Sequence, residues 1–309
     1  MPRHLLSIAD LSGEEILKIL YKASDLKEEL KFEPCLNYLL GKSCALIFEK
    51  PSLRTRVTFE LAINQLGANA IYLTQADIGL GKREAISDIA RNLSRWVNAI
   101  IARTYAHKTL LELAQYSTIP VINALSDLEH PCQALADFLT IYEKRGRLAG
   151  IKLAWVGDGN NVCHSLMLGA GLLGLTMKIA TPKGYEPNKE ILTKAQEYAA
   201  RSNAKIIITN DPKDAVTDSE FIYTDTWISM GQEQEAETRR RIFRPFQVNR
   251  ELLAYAPRTH FIMHCLPAHR GEEITDEVLD GPNSIVLEQA ENRLHVQRAI
   301  LYLILTGKL

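Results

Sequence analysis

Two arginines, a serine and a threonine stand together where an apolar segment ends, in the stretch EKPSLRTRVTFE (49–60). The apolar segment CALIF predicts a buried strand before it, and apolar residues at helical spacing from Val57 onward predict a helix after it. Ser52 is a good N-cap, which places Arg54 and Thr55 in the first helical turn, where cations are unfavourable unless an anion joins them. Backbone N–H groups, hydroxyls and guanidinium groups together favour a phosphate or carboxylate ligand. A solvated turn with ordinary surface arginines is the alternative.

A second polar group follows the next predicted strands of the first half. Arg103 follows the strand 98–102, and the segment LSDLEHPCQALADFL places His130 at the start of a helix with Pro131 in its first position. A histidine at the positive end of a helix tends to have a lowered pKa, so we expect a neutral imidazole donor. With the amide of Gln133 beside it, this imidazole could polarise a carbonyl oxygen. A surface arginine and a capping histidine without a ligand are the alternatives.

The second half carries polar groups suited to an amine. Asp225 ends a predicted strand, and a carboxylate there, with Ser229 nearby, suits a ligand ammonium; a turn aspartate is the alternative. Asn161, in the turn GDGNN, would hold a polar small molecule or cap a helix. That turn lacks the third glycine of a dinucleotide fingerprint, which disfavours a nicotinamide-dependent dehydrogenase. Cys265, in HCLP, is interpreted as a small buried residue rather than a nucleophile.

Length and composition limit the class of protein. The chain has 309 residues, more than one hydrophobic core usually supports, which predicts two domains. Lys+Arg 36 against Asp+Glu 37 leaves no basic surplus, which argues against a nucleic-acid partner. Five scattered cysteines without a CxxC pair argue for a reducing compartment, and against disulfides or a zinc site. Since no apolar stretch or N-terminal signal suits a membrane or export, we expect a cytoplasmic protein without a metal.

Short apolar runs alternate with amphipathic ones along the whole chain. This pattern predicts the α/β class, with two doubly wound parallel-sheet domains whose ligands bind beyond the carboxyl ends of the strands. An anion site in one half and an amine site in the other suggest a reaction of an acyl phosphate with an amine. The predicted strands lie near 43–48, 69–73, 98–102, 120–123, 152–157, 176–180, 205–208, 220–224, 260–263 and 284–287, and helices are predicted at 84–96, 131–145 and 289–305.

Five segments together resemble the motifs of the ornithine carbamoyltransferase family, in that family's order and over essentially the whole chain. They are SLRTR (52–56), HPCQ (130–133), DTWISMG (225–231), HCLP (264–267) and ENR (291–293). The resemblance implies transfer of the carbamoyl group of carbamoyl phosphate to the δ-amine of L-ornithine, giving L-citrulline and phosphate in arginine metabolism, with no cofactor. A carbamoyltransferase for putrescine or N-acetylornithine, and a non-catalytic regulatory subunit, are the alternatives.

The resemblance also implies roles for individual residues, carried over from the matching motifs. The residues implied to be catalytic are Arg54, Arg103, His130 and Cys265. Those implied to bind carbamoyl phosphate are Ser52, Leu53, Arg54, Thr55, Arg103, His130, Gln133, Cys265, Leu266 and Arg293. Those implied to bind ornithine are Asn161, Asp225, Ser229 and Met230. The resemblance further implies a cis peptide bond between Leu266 and Pro267.

Domain limits and assembly are implied by the same resemblance. A carbamoyl-phosphate-binding domain would comprise 1–147 together with a C-terminal helix, 289–309, that returns to it, and an ornithine-binding domain would comprise 148–288. The protein would form homotrimers with active sites at subunit contacts, without a nucleic-acid or membrane partner. The chain departs from the family at Gly79, where a glutamine or histidine usually reaches the neighbouring subunit's site. Either Lys82, Arg83 or Gln75 substitutes, or that contact is weaker.

Overall fold

The chain divides into two compact units in the computed structural model, which describes residues 2–229 and 231–309. Unit one comprises Met1–Leu139 and Glu291–Leu309, and unit two comprises Thr140–Ala290. Both boundaries between the units, 139/140 and 290/291, fall within helices. The limits implied by the resemblance, 147/148 and 288/289, therefore remain a proposal about where each domain ends.

Unit one is an alternation of strands and helices. In chain order its elements are a 3-10 helix (Ile8–Asp10), α1 (Gly13–Glu29), β1 (Ser43–Phe48), α2 (Leu53–Gln65), β2 (Asn69–Thr74), α3 (Gln75–Ile78), α4 (Ile86–Trp96), β3 (Ala99–Arg103), α5 (His107–Tyr116), β4 (Val121–Leu125) and the start of α6 (Pro131–Arg145). Within the described residues, these strands form one parallel sheet in the order β2–β1–β3–β4.

Unit two repeats the same alternation. In chain order its elements are β5 (Lys152–Val156), α7 (Asn161–Leu173), β6 (Thr176–Ala180), α8 (Lys189–Ser202), β7 (Ile206–Thr209), α9 (Pro212–Val216), β8 (Phe221–Thr224), a 3-10 helix (Glu233–Glu235), α10 (Ala236–Phe243), a 3-10 helix (Arg244–Phe246), α11 (Arg250–Leu253), β9 (Phe261–His264), α12 (Asp276–Leu279) and the start of α13 (Val286–Leu305). The strands of the described part form a parallel sheet in the order β7–β6–β5–β8–β9.

Each sheet has one place where the strand order reverses direction. In unit one this place lies between β1 and β3, and in unit two it lies between β5 and β8. Ligands of open parallel sheets bind in the crevice beyond the carboxyl ends of the strands at such a point. The SLRTR segment and Arg103 follow β1 and β3, while the GDGNN turn and Asp225 follow β5 and β8. The sequence motifs therefore lie where each sheet is built to bind a ligand.

The predicted fold class is confirmed, with one wrong strand. Nine of the predicted strands agree with an observed strand to within one or two residues at each end, but 284–287 is not a strand. Ser284 makes only an isolated bridge with Ile262, and α13 begins at Val286. A short buried apolar run at the start of a helix has the same periodicity as a buried strand, which explains the error.

The last helix returns to unit one, as the resemblance implied. Its residues 291–305 belong to that unit, where the side chain of Lys27 donates to Asn292 (Nζ–Oδ1 3.0 Å). The rings of Tyr38 and Tyr302 also pack together, with their centroids 5.1 Å apart. Across the described part of the chain, every helix is too short or too polar to serve as a membrane span.

Candidate active site

The turn between β1 and α2 has the predicted form. Ser52 is the N-cap of α2, and its hydroxyl accepts a hydrogen bond from the backbone N–H of Thr55 at 3.3 Å. The first turn of the helix contains no acidic residue, so the positive field of the helix N-terminus has no balancing negative side chain there. Leu53, the first helical residue, is 74% exposed, and Arg54 is half-buried. This helix end is open to an anion.

Two further arginines of unit one lie buried near this turn. Arg103 ends β3 and stands opposite Phe48 in the register of the neighbouring strand β1. Arg293, from α13, donates from Nη2 to the hydroxyl oxygen of Thr55 at 2.7 Å. Arg103 and Arg293 are 5% and 3% exposed, so the fold places both guanidinium groups out of contact with bulk water. The fold therefore holds strong positive charge at the β1/β3 switch point.

His130 lies among these cations. Its side chain is buried, and its pKa is lowered well below the ordinary 6.5, first by burial and then by the charges of Arg293, Arg103 and Lys50. The lowered pKa agrees with the expectation from the sequence, and its causes are burial and neighbouring cations. At neutral pH the imidazole is uncharged and has one N–H to donate.

Gln133 has a different orientation from the one expected. Its amide Nε2 donates to Asp137 Oδ1 at 2.8 Å, one turn along α6. The group offered by the buried side chain is therefore its carbonyl oxygen, Oε1, which has no hydrogen-bond partner among the described residues. An oxygen accepts rather than donates, so Gln133 suits the NH₂ group of a ligand amide and not its carbonyl oxygen.

Sequence reasoning missed Lys50, although it stands in the stretch EKPSLRTR. The side chain is only 8% exposed and makes no hydrogen bond or ion pair with a described residue, and Nζ lies 5.1 Å from the ring centroid of Tyr105. Burial, and then the charge of Arg103, lowers the pKa of Lys50 to about 8. Asp127 and Glu49 oppose this lowering only in part, and a buried lysine without a direct ion pair is unfavourable. The sequence feature that could have identified Lys50 is its position directly after an apolar strand and before two arginines.

In unit two, Asp225 is held by three donors. Its carboxylate accepts hydrogen bonds from Asn160 Nδ2 at 2.8 Å, from the backbone N–H of Thr226 at 2.8 Å and from the thiol of Cys265 at 3.0 Å. The side chain is 7% exposed. The three donors therefore fix the Asp225 side chain in place at the end of β8.

The GDGNN turn is built for packing and capping. Asn160 caps α7 by accepting from the backbone N–H groups of Val162 and Cys163. A Cβ atom at Gly159 would lie 2.4 Å from the backbone nitrogen of Pro187, so only glycine fits. This close packing accounts for glycine at position 159, so a bound dinucleotide is not needed to explain it. Asn161, the predicted ligand, is the half-buried first residue of α7.

Asp158 in the same turn anchors the segment after Asp225. Its carboxylate pairs with Arg239 (Nη1–Oδ2 3.2 Å), and the same nitrogen donates to the carbonyl oxygen of Trp227 at 2.8 Å. Burial raises the pKa of Asp158 to about 6, against the opposing effect of Arg239. Ser229 is half-buried, and its backbone N–H donates to Gln232 Oε1 at 3.0 Å. Met230, also predicted to bind a ligand, lies outside the described residues.

The HCLP segment brings Cys265 beside Asp225. The peptide bond between Leu266 and Pro267 is cis, which confirms the expectation, and Leu266 has a φ of 57°. The donor atoms of Asp225, His264 and Cys265 lie within 4.8 Å of one another, as ligands of a metal would. However, His264 accepts from the backbone N–H of Leu266 through Nδ1 and contacts Glu273 through Nε2. Both ring nitrogens are engaged, so the imidazole has no lone pair for a metal.

Gly79, where the resemblance implied a departure from the family, lies in a position that requires glycine. Gly79 is the C-cap of α3 with a φ of +58°, and a Cβ atom there would lie 2.6 Å from the Cβ atom of Arg83. A side chain at this position is therefore incompatible with the observed conformation of the loop. Of the proposed substitutes, Gln75 donates to the carbonyl oxygen of Leu80 at 3.3 Å, while Lys82 and Arg83 are exposed.

Two family models match successive parts of the chain. Residues 3–143 match the family described as "Aspartate/ornithine carbamoyltransferase, carbamoyl-P binding domain". Residues 149–304 match the family described as "Aspartate/ornithine carbamoyltransferase, Asp/Orn binding domain".

Full-length relatives give the same result. A protein of Archaeoglobus fulgidus named ornithine carbamoyltransferase is 55% identical over 306 residues, which cover 99% of this chain and 98% of that protein. One of Pyrococcus furiosus, named ornithine carbamoyltransferase, anabolic, is 53% identical over 305 residues, which cover 99% of this chain and 97% of that protein. The solved ornithine carbamoyltransferase from Pyrococcus furiosus superimposes with a TM-score of 0.96 at 53% identity, over 99% of this chain and 97% of that chain. The chain therefore belongs to the aspartate/ornithine carbamoyltransferase family.

Proposed function

We propose that the protein transfers the carbamoyl group of carbamoyl phosphate to the δ-amine of L-ornithine, producing L-citrulline and phosphate. The observation that carries the proposal is the cluster of cationic side chains at the β1/β3 switch point, which the fold buries beside an unbalanced helix N-terminus. The names of the full-length relatives support ornithine as the acceptor. The word anabolic in one of those names supports a role in arginine biosynthesis.

The phosphate of carbamoyl phosphate binds at the start of α2. Ser52, Thr55 and the backbone of Leu53 supply hydrogen-bond donors, and Arg54 and Arg103 supply guanidinium groups. Arg293 reaches the same place, because it already contacts the hydroxyl of Thr55. Lys50 adds a positive charge that makes no direct ion pair with a described residue, although the carboxylates of Asp127 and Glu49 partly oppose the lowering of its pKa. These groups offset the negative charge that grows on the phosphate as it leaves.

The carbamoyl group is held by the start of α6. Neutral His130 donates to the carbonyl oxygen, and the carbonyl oxygen of Gln133 accepts from the NH₂ group. The δ-nitrogen of ornithine attacks the carbamoyl carbon, a C–N bond forms, and the C–O bond to phosphate breaks. The amine loses its proton to solvent or to the departing phosphate. An acyl phosphate is already activated, so positioning and charge stabilisation suffice without a cofactor.

Ornithine binds at the carboxyl ends of β5 and β8. The ionised carboxylate of Asp225 pairs with an ammonium group, while Asn161, Ser229 and Met230 contact the rest of the amino acid. Cys265 keeps Asp225 in place through its thiol. Cys265 and Leu266 lie beside the reacting atoms.

Assembly and location follow the family expectation. We place the carbamoyl-phosphate domain at 1–147 with 289–309 and the ornithine domain at 148–288, in a cytoplasmic homotrimer. Since Gly79 excludes a side chain, exposed Lys82 or Arg83 is the group that would reach a neighbouring subunit.

The test is a product assay with matched variants. Purified protein, carbamoyl phosphate and ornithine should yield phosphate and ureido product in equal amounts. Arg54→Met should lower turnover by at least about 100-fold, because a guanidinium on the leaving phosphate is lost. Arg91→Met is the control, since Arg91 is an exposed arginine of the same unit whose partners among the described residues are Asp88 and the ring of Tyr116. Phosphate release without a ureido product would contradict the proposal.

A further inference from the structure

Leu266 has a backbone conformation that needs support. Its φ of 57° lies in the left-handed region, which a leucine rarely adopts. Such conformations persist only where the surrounding structure determines them, and they occur often at functional sites. Leu266 directly follows Cys265, whose thiol donates to Asp225. The unusual residue is therefore part of the acceptor end of the proposed site.

Two fully buried side chains hold Leu266. Its backbone N–H donates to His264 Nδ1 at 2.8 Å, and His264 Nε2 lies 3.0 Å from Glu273 Oε1. Because Nδ1 accepts, the ring proton lies on Nε2, which donates to the carboxylate. His264 and Glu273 are both 0% exposed. The result is a relay from a carboxylate through an imidazole to one peptide N–H.

The relay is itself fixed from two sides. The backbone N–H of His264 donates to Gln289 Oε1 at 2.9 Å. Glu273 Oε1 also accepts from the backbone N–H of His269 at 2.6 Å, while Oε2 has no hydrogen-bond partner among the described residues. Both donors thus converge on one oxygen atom. The two hydrogen bonds therefore require one acceptor oxygen at the position of Oε1 and do not require both oxygens of the carboxylate.

We propose that Glu273 is a positioning residue, which acts through His264 to fix the backbone of Cys265 and Leu266 for carbamoyl transfer. The proposal rests on the proposed function, because it assigns Leu266 to the reacting centre. A purely stabilising pair of a buried acid and an imidazole does not need to contact the site. Here the hydrogen bonds end on the backbone N–H of Leu266, next to Cys265, whose thiol contacts Asp225. A displacement of about 1 Å in a catalytic constellation lowers the rate by about 100-fold.

Two substitutions at one position test the proposal. Glu273→Gln keeps Oε1, so it keeps an acceptor for both donors, and kcat should stay within about threefold of wild type. Glu273→Ala removes the acceptor, and kcat per folded protomer should fall by about 100-fold, with smaller changes in both KM values. Equal losses in the two variants would overturn the proposal, because charge rather than position would then matter. An unchanged kcat in Glu273→Ala would overturn it as well.

A control and a second measurement separate position from stability. Glu220→Ala removes a half-buried carboxylate that precedes β8, at the opposite end of the strand from Asp225. It should lower the melting temperature and leave kcat unchanged. In wild type, ¹⁵N spectra of histidine-labelled protein should show His264 as the Nε2–H tautomer, and an Nδ1–H tautomer would overturn the relay. If wild type itself makes no ureido product, the proposed function fails, whereas the tautomer result still decides the relay.

Discussion

Lys50 should destabilise the ligand-free protein while it helps to bind carbamoyl phosphate. Its pKa is lowered from 10.5 to about 8, chiefly by burial. A shift of about 2.5 units corresponds to about 3 kcal/mol, since each unit is worth about 1.4 kcal/mol. Between pH 8 and 10.5 the unfolded state binds more protons at this site than the folded state does. The free energy of unfolding therefore rises with pH across that window, and the penalty is fully present at pH 7.

The substitution Lys50→Met removes the charge and keeps most of the apolar stem. We expect the free energy of unfolding at pH 7 to rise by up to about 3 kcal/mol, and the Lys50-dependent rise between pH 8 and 10.5 to disappear. The KM for carbamoyl phosphate should increase by about 10-fold or more, because one charge–charge interaction with the phosphate is lost.

Urea unfolding of ligand-free protein, followed by circular dichroism, measures the first effect, and steady-state kinetics measures the second. Lys18→Met is the control, since Lys18 is an exposed lysine of the same unit and both quantities should stay unchanged. A variant that is less stable than wild type at pH 7, with an unaltered KM for carbamoyl phosphate, would refute the reasoning.

Three further predictions concern the two halves of the site. Asp225→Asn should raise the KM for ornithine by about 10- to 100-fold and leave that for carbamoyl phosphate nearly unchanged, because a charged pair with the ammonium is lost; equal effects on both substrates in steady-state kinetics would contradict the assignment. Turnover should climb from pH 7 to 9, because an alkyl ammonium with a pKa of about 10.4 must lose its proton before attack. His130, whose pKa lies well below 6.5, should add no titration step in that range, and a step that disappears in His130→Asn would show otherwise. Arg293→Gln should weaken binding of carbamoyl phosphate by about 10- to 100-fold in calorimetry, whereas unchanged binding would remove α13 from the phosphate site.

The chemistry at strand ends was visible in the sequence because the α/β alternation shows where each strand stops. Ser52 as N-cap, His130 at the start of α6 and Asp225 after β8 all follow from local patterns, and the structure places them accordingly. The strand predicted at 284–287 was wrong because a buried apolar run does not reveal whether a helix begins there.

Other features depend on long-range contacts that no local pattern contains. The orientation of Gln133 is set by Asp137, and the pKa of His130 is lowered first by burial and then by cations from three separate segments. Burial of Lys50 and the link from Glu273 to Leu266 likewise need the folded chain. Residue types were thus predictable, while their partners and protonation states were not.

The most direct test of the central claim, an anion site in unit one and an ornithine site in unit two, is a panel of acceptors. Purified protein and carbamoyl phosphate are incubated separately with ornithine, putrescine, N-acetylornithine and aspartate, and the ureido product is identified by mass spectrometry. The account predicts citrulline with ornithine and no product with the other three. A ureido product from another amine, with none from ornithine, would contradict the role assigned to Asp225 and the residues around it.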